Sequence, residues 1–522
     1  MALAQSNLVN QEFSTKQALF EVSKSTATTD QSQSIQEEST INEILPSEML
    51  EHVFGFLPLH DRKSVSLVCR TWCALAFSRR FMRHVTLRLV DWENFRASKY
   101  DVLRSSARRY RHIMAFFGPK ECPEAQFELL LNLVDRFGCE LDSLFCLTMF
   151  KAKQLQQIVE KTPNVQQLVV GLSSVEGNSE RSFPVLRRLK DLGSLNHMLQ
   201  CPALDVPRFA PNLEQLTVNF TSSENIGQSI EALKKFGPQL KSLEMFASDY
   251  YFEINELRFP KLKILKLSGK IVETSVTAQK NFFKQFTNLR EASFDCNIQD
   301  VVLDTLTRAC PELKILHMKS TELSEKSLCY LNRLKCLKLL GISGKLNSNL
   351  LTDCKPLPTV ETFHLHMYES DNDQAIFQRF TQLLPNTKQL KITFDEKFTI
   401  RNTLLSACKP FTKLQRLEIA DRSYRMANAE PSADNALQVL KQLDELVLNS
   451  LDVPVAYLHP SGTLKRLRLK FIVGMTDREL LDVVRKFPNL HYLEVACCRR
   501  ITDDGIRAVR DIVPSCVVHH FM

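Results

Sequence analysis

Leu490-His-Tyr-Leu493-Glu-Val495 decides how this chain is read, because its six-residue pattern, L-x-x-L-x-L with apolar substitutions, returns along most of the sequence. Copies stand at Val165/Leu168/Val170, Leu213/Leu216/Val218, Leu240/Leu243/Met245, Leu262/Leu265/Leu267, Leu289/Ala292/Phe294 and Leu313/Leu316/Met318. They continue at Leu334/Leu337/Leu339, Val360/Phe363/Leu365, Thr387/Leu390/Ile392, Leu414/Leu417/Ile419, Leu443/Leu446/Leu448 and Leu464/Leu467/Leu469. Blurred copies lie at Met82/Val85/Leu87, near Ile113, near Leu141–Leu147 and at Leu186–Leu189. Successive starts are mostly 21–29 residues apart. Alternating apolar positions predict a short strand with one buried face. The rest of each period returns the chain, often as a helix: DRELLDVVRKF puts Leu480, Val483, Val484 and Phe487 on one side, and SIEALKKF and VVLDTLTRAC follow the same rule. One such unit cannot bury its own face, so the units must stack. About 15 strands at roughly 4.8 Å spacing make a sheet on the order of 70 Å long. The expected class is α/β, with a parallel inner sheet and outer helices in a curved solenoid over residues 86–522.

Working outward, the stretch upstream of the array reads LPSEMLEHVFGFLPLHDRKSVSLVCRTW, from Leu45 to Trp72. Pro46 suits the first turn of a helix. Leu50, Val53, Phe54 and Leu57 recur at the spacing of one helical face, and Glu48 and Glu51 sit where the helix dipole favours negative charge. Pro58 stops this helix. Asp61 is placed to cap a second one carrying Val65, Val68, Trp72 and Leu75 on an apolar stripe. A few short helices cannot bury enough surface to be comfortable alone. They form either a cap on the array or a docking module that completes its core on a partner.

The order Leu45-Pro46, Leu50, Val53, Phe54, Leu57, Leu59, Asp61, Val68-Cys69 and Trp72 resembles the F-box over residues 41–85. It departs at Arg62-Lys63, where the family more often carries an apolar residue, and looser local packing is expected there. The array resembles leucine-rich repeats. Its last copy, ACCRRITDDGIRAVRDIVPSC, looks like the cysteine-containing subtype that accompanies F-boxes: Cys497 at the turn after the strand, Ile501-Thr502-Asp503 leading into the helix, Cys516 closing it. Cys310 and Cys408 keep part of that signature. The resemblance to F-box/leucine-rich-repeat proteins implies a substrate-recognition adaptor of an SCF-type cullin–RING ubiquitin ligase. In it Leu45, Pro46, Leu50, Val53, Phe54, Leu57, Val68 and Trp72 form the module that docks the Skp-type adaptor, and the strand face holds a protein substrate. The alternative is an interaction scaffold of the same build without a ligase role. Neither reading makes the chain an enzyme or gives it a cofactor.

Composition agrees with a globular protein, at 44% hydrophobic and 24% charged residues. Residues 1–40 are rich in Ser, Thr and Gln, which predicts a disordered tail, plain or phosphorylation-regulated. The net charge of +8 splits into −3 over those 40 residues and +11 over the remainder. That bias favours acidic partners mildly and does not by itself argue for nucleic acid. Fifteen Cys without a C-x-x-C pair read as reduced thiols of cytoplasm or nucleus. No signal peptide and no apolar run of membrane-spanning length stand out, so no membrane partner is expected.

Several residues invite a sharper reading. Arg466, Arg468 and Lys470 share one face of a strand, with Lys465 nearby, and would suit an acidic or phosphorylated substrate; the bland reading is a solvated edge. His364 and His366 also share a face and join the candidate substrate-binding residues; no further ligands accompany them, so polar surface is favoured over a metal site, and the His519-His520 pair is likewise no chelate. Cys69 and Cys73 are one helical turn apart, and Cys69 reads as packing. Cys497-Cys498 next to Arg499-Arg500 lacks the base a nucleophile needs. Arg104 to Ile113, RSSARRYRHI, interleaves Tyr110 with arginines, yet no nucleic-acid motif surrounds it. With 14 Gly in the chain, a Gly-rich nucleotide loop is not expected.

Overall fold

The computed structural model describes residues 41–90, 103, 108–118, 121–172, 183–193, 205–220, 226–250, 256–271, 276–319, 323–324, 327–346, 354–370, 373–394, 408–421, 436–450 and 458–521. The expected tail over residues 1–40 and residues 104–107 of the basic run lie outside them. The chain divides into two compact units, one within residues 12–213 and one formed by residues 214–522 with residues 1–11.

The first unit opens with five short helices: α1 (Ile41–Ile44), α2 (Ser47–Gly55), α3 (Leu59–Val65), α4 (Arg70–Ala76) and α5 (Arg79–Met82). Strands β1 (Thr86–Val90), β2 (His112–Phe116), β3 (Ser143–Phe150), β4 (Gln167–Leu172) and β5 (Asp191–Gly193) follow, each parallel to the next. Register stacks Leu87, Ile113, Leu144, Leu168 and Leu192 in one row, all buried. The helices Glu124–Phe137 and Ala152–Lys161 return the chain and bury Leu130, Leu133, Leu155 and Ile158 against that row's side of the sheet.

The second unit is a longer run of the same construction. It comprises β6 (Gln215–Phe220), β7 (Ser242–Tyr250), β8 (Ile264–Ile271), β9 (Glu291–Asn297), β10 (Ile315–Lys319), β11 (Leu339–Leu346) and β12 (Thr362–Ser370). It continues with β13 (Gln389–Phe394), β14 (Arg416–Asp421), β15 (Glu445–Asn449), β16 (Arg466–Lys470), β17 (Tyr492–Ala496) and β18 (Val517–Phe521). Every strand pairs in parallel with its successor. The expected α/β solenoid of parallel strands with outer helices is what forms.

Three details differ from the sequence reading. Around β11 the pattern is Leu337/Leu340/Ile342, not Leu334/Leu337/Leu339. Two overlapping matches exist in that stretch, and the chain takes the register that aligns Leu340 with Leu316 and Phe363 in the buried row. Strand β18 adds a repeat after the last recognised copy and runs through His519-His520. The return segments are uneven: ten residues of helix at Asp503–Ile512, a 3-10 turn at Ser327–Arg333, and four residues at Val206–Phe209 and Ala436–Val439.

Two devices join repeat to repeat beyond strand pairing. The first is an asparagine just before the first apolar position of the pattern. Asn164, Asn212, Asn288, Asn386 and Asn489 each donate a side-chain N–H to a carbonyl 25–28 residues upstream, at Cys139, Arg187, Pro260, Pro358 and Gly462, over 2.7–2.9 Å. The second is a left-handed residue after the strand. Ser450, Phe471 and Cys497 have φ of 55°, 54° and 54°, and their N–H groups donate to Lys470, Ala496 and Phe521 of the next strand. Cys497 therefore occupies the turn expected of it, and Thr502 caps the helix that follows, its side chain accepting from Gly505.

Candidate interaction surfaces

The helical module has a small core of its own. Leu50 and Phe54 from α2, Ala76 from α4 and Phe81 from α5 are buried together, with Leu45, Leu57, Val65, Trp72, Leu75 and Phe77 packed against them. The Phe54 and Trp72 rings meet edge to face with centroids 5.3 Å apart. Ser78 donates to Glu51 and ties α5 to α2. The single second helix expected from Asp61 to Leu75 is instead two. Pro58 occupies the N-cap of α3, so Asp61 falls inside its first turn, and the helix ends at Ser66. Cys69 begins α4 as its N-cap, its sulfur accepting the Trp72 N–H at 3.4 Å, so it is a cap as well as a packing residue. The break turns Trp72 toward the core and leaves Val68 facing solvent.

Arg62 packs against an aromatic ring. Its guanidinium lies 4.6 Å from the centre of the Phe81 ring, and its Nε and Nη1 are shielded from solvent without hydrogen-bond partners among the described residues. Burial lowers its pKa from the ordinary value. The ring face receives the cation where the family carries an apolar side chain.

Of the residues the sequence assigned to docking, the structure brings Leu50 and Phe54 fully inside and Leu45, Leu57 and Trp72 partly inside. Pro46, Val53 and Val68 are exposed. Sequence reasoning missed the apolar surface around them. Phe56 is 77% exposed and Leu67 86%, with Ile44, Met49 and Leu59 also open. The signal was present: Met49, Val53 and Phe56 are spaced i, i+4, i+7, a second apolar face on α2 beside the core face.

Residues 43–88 match the model of the F-box-like family. That span takes in the end of α1, helices α2–α5 and most of β1. No curated protein matches the chain. Among solved structures, it is similar to TLR13 in its complex with ssRNA13, at TM-score 0.35 and 15% identity over 77% of this chain. This chain spans 57% of that structure's length. It is also similar to the complex of Rad7 and Elc1 in yeast, at TM-score 0.28 and 13% identity, covering 90% of this chain and 92% of that one.

The described part of the basic run, from Arg108 onward, is spent on internal contacts. Tyr110 is buried against Phe137, with centroids 5.6 Å apart. Arg108 stacks 3.7 Å over the Phe77 ring, Arg111 pairs with Asp142 at 2.6 Å, and Arg109 shares Glu140 with Arg79. Phe77, Arg79, Met82 and Arg109 line an open cavity of about 430 Å³.

In the second unit the residues between the buried apolar positions form the open face of the sheet. Register places Arg416, Glu445, Arg466 and Tyr492 in one row across β14–β17, and Lys391, Glu418, Val447, Arg468 and Glu494 in another across β13–β17. The three basic residues of β16 therefore meet carboxylates of their own sheet. Arg468 lies 2.9 Å from Glu445 and 3.4 Å from Glu494, Lys470 is 2.7 Å from Glu494, and Arg466 is 2.6 Å from Asp444. Glu445, with a side chain 5% exposed, also binds Arg416 at 2.9 Å, and Glu418 joins Arg416 to Lys391 at 3.3 and 2.6 Å. Burial pushes the Glu418 and Glu494 carboxyls up, but the hydrogen bonds and charges of Lys391 and Arg416, and of Lys470 and Arg468, hold both below the usual carboxylate range. The surface is an alternating chain of charge rather than a bare positive patch.

His364 and His366 take different neighbours. His364 faces His317 of β10 across Gly341 of β11, ring centroids 5.5 Å apart, while His366 lies against Tyr368 at 4.5 Å. A Cβ at position 341 would fall on the His317 ring, so glycine is what lets the two imidazoles approach. Burial lowers both pKa values, that of His364 to about 4 with help from the neighbouring His317 and Lys391 charges. His520 reaches Asp503 at 3.3 Å, and His519 stacks on Phe521. Among the described residues no three His, Cys, Asp or Glu side chains gather as a metal centre would require, and no helix is long and apolar enough to cross a membrane.

Proposed function

We propose that this chain is the substrate-recognition adaptor of an SCF-type cullin–RING ubiquitin ligase. The observation that carries the reading is the exposed apolar face of the F-box-like domain. Met49, Val53, Phe56, Leu67 and Val68 leave their own core and stand in water, in a domain too small to do without them lightly. F-box domains generally bind Skp-type adaptors, and an apolar groove on such a partner would cover these side chains and bring the cullin with it. The open face of the repeats would hold the protein substrate. No chemistry is required of the chain: tethering raises the effective concentration of a substrate lysine near the conjugating enzyme.

The test is the double substitution Phe56→Ala/Leu67→Ala in the full chain, followed by affinity capture. Both side chains are exposed, so the fold stays. Loss of the Skp-type adaptor and the cullin together is the expected result, and undiminished recovery overturns the docking assignment. A protein retained by both forms, whose half-life lengthens when the variant replaces the wild type, is the substrate; the absence of any such protein favours a scaffold.

A further inference from the structure

Cys329 lies in the 3-10 turn Ser327–Arg333, and Cys354 lies in the return segment that follows β11. They belong to successive repeats, 25 residues apart, yet their sulfurs are 3.2 Å from each other. Both are half-buried thiols. A disulfide needs about 2.05 Å between sulfurs, so roughly 1 Å of closure separates this pair from a bond. Other cysteines are set against such chemistry. Burial, aided by the nearby Glu124 charge, pushes the Cys122 thiol up to about 12; burial pushes Cys310 up to about 12 and Cys146 up as well, which keeps them protonated and unreactive.

We propose that Cys329 and Cys354 are an oxidative modification site, converted by a hydroperoxide into an intramolecular disulfide that staples two successive repeats behind β11. One thiol loses its proton to water, and the thiolate attacks the distal peroxide oxygen. The O–O bond breaks, giving a sulfenic acid and releasing water or an alcohol. The second thiolate attacks the sulfenic sulfur, the S–S bond forms, and the hydroxyl leaves as water. Two thiols and one hydroperoxide give one disulfide, one water and one water or alcohol: the sulfurs are oxidised and the peroxide reduced. A reducing compartment reverses the bond by thiol exchange, so the staple is transient there. The inference does not depend on the ligase reading.

The experiment treats the full-length protein with limiting hydrogen peroxide, blocks remaining thiols and maps the peptides by mass spectrometry without reduction. A linked pair containing Cys329 and Cys354 is expected as the dominant cross-link, lost on reduction, and absent from Cys329→Ser and Cys354→Ser. Amide exchange over residues 339–346 should slow on oxidation and recover on reduction. The proposal is overturned if the pair does not link, if either cysteine is found as sulfinic acid in the intact chain, or if links to the exposed Cys73 and Cys139 form as readily. Should a serine variant fail to fold, the wild-type map alone decides.

Discussion

Phe54 lies in α2 and Phe56, two residues on, is its C-cap, and the two should behave in opposite ways. Phe54 is 2% exposed and packs on Trp72 at the centre of the F-box-like core. Truncating a buried Phe to Ala costs about 3–5 kcal/mol. A core of four buried side chains and six partly buried ones has little more than a few kcal/mol to lose, as domains near ~60 residues are already marginal. Phe54→Ala should therefore unfold the helices locally while the repeats remain. Phe56 is largely in water, so Phe56→Ala should move stability by no more than about 0.5 kcal/mol. If it is a docking anchor, its loss removes roughly 1.5–3 kcal/mol of burial, which is about a tenfold to hundredfold weaker complex. Hydrogen exchange over residues 47–82 measures the first effect, and calorimetric titration with the Skp-type adaptor the second. Either of two outcomes refutes the reasoning: full amide protection in Phe54→Ala, or wild-type affinity in Phe56→Ala.

Glu445→Gln should destabilise the second unit by about 2 kcal/mol, because it leaves Arg416 and Arg468 without their shared carboxylate; denaturant unfolding measures this, and no change would mean the ion chain is ornamental. The same variant should bind a polyanionic peptide more tightly than the wild type, since it bares positive charge. Stability should fall with acid in two stages. His364 and His317 have folded pKa values below the ordinary ~6.5, so their contribution is full above that value and is lost as pH falls toward the folded value, about 4 for His364. For His364 that loss is on the order of 3 kcal/mol, and His364→Gln should flatten the first stage. Glu418 and Glu494, also held low, should add a second loss below about pH 4.3. Gly341→Ala should push His317 out of its place over β11 and raise its pKa toward normal, which an imidazole NMR titration reads directly.

The repeat spacing carried the fold because one buried row per strand is a one-dimensional property, visible in a single sequence. What lies between strands is not. Arg466, Arg468 and Lys470 looked unopposed because Glu445 and Glu494 are 21 or more residues away in sequence and become neighbours only through parallel register. Aligning the copies of the pattern would have shown the alternating charges. The break between α3 and α4 was hidden because apolar spacing continued through Ser66–Cys69, while Ser66 bonding back to Lys63 at 2.6 Å and the cap at Cys69 ended one helix and began another. Arg62 broke the family pattern in composition but found an aromatic face, a compensation that depends on where Phe81 lies. The docking face was half read: the stripe chosen on α2 was its core apart from Val53, which stands with Met49 and Phe56 on the other side.

The asparagines joining successive repeats have a mechanical consequence. In each unit the strand bonds connect neighbours along the stack, so a pull along that direction loads one repeat after another in series. A strand ladder alone would peel from its edge at low force. The Asn386 bond to Pro358 and the Asn489 bond to Gly462 fasten the return side as well, so a repeat must release two attachments together. A stretched second unit should yield in discrete steps, each freeing about 25 residues, or roughly 85 Å of chain. A repeat whose return side carries no such bond should be where it gives way first; the one led by Glu312 is fastened instead by Arg290, which donates to the Glu312 carbonyl and carboxylate at 3.1 and 2.9 Å.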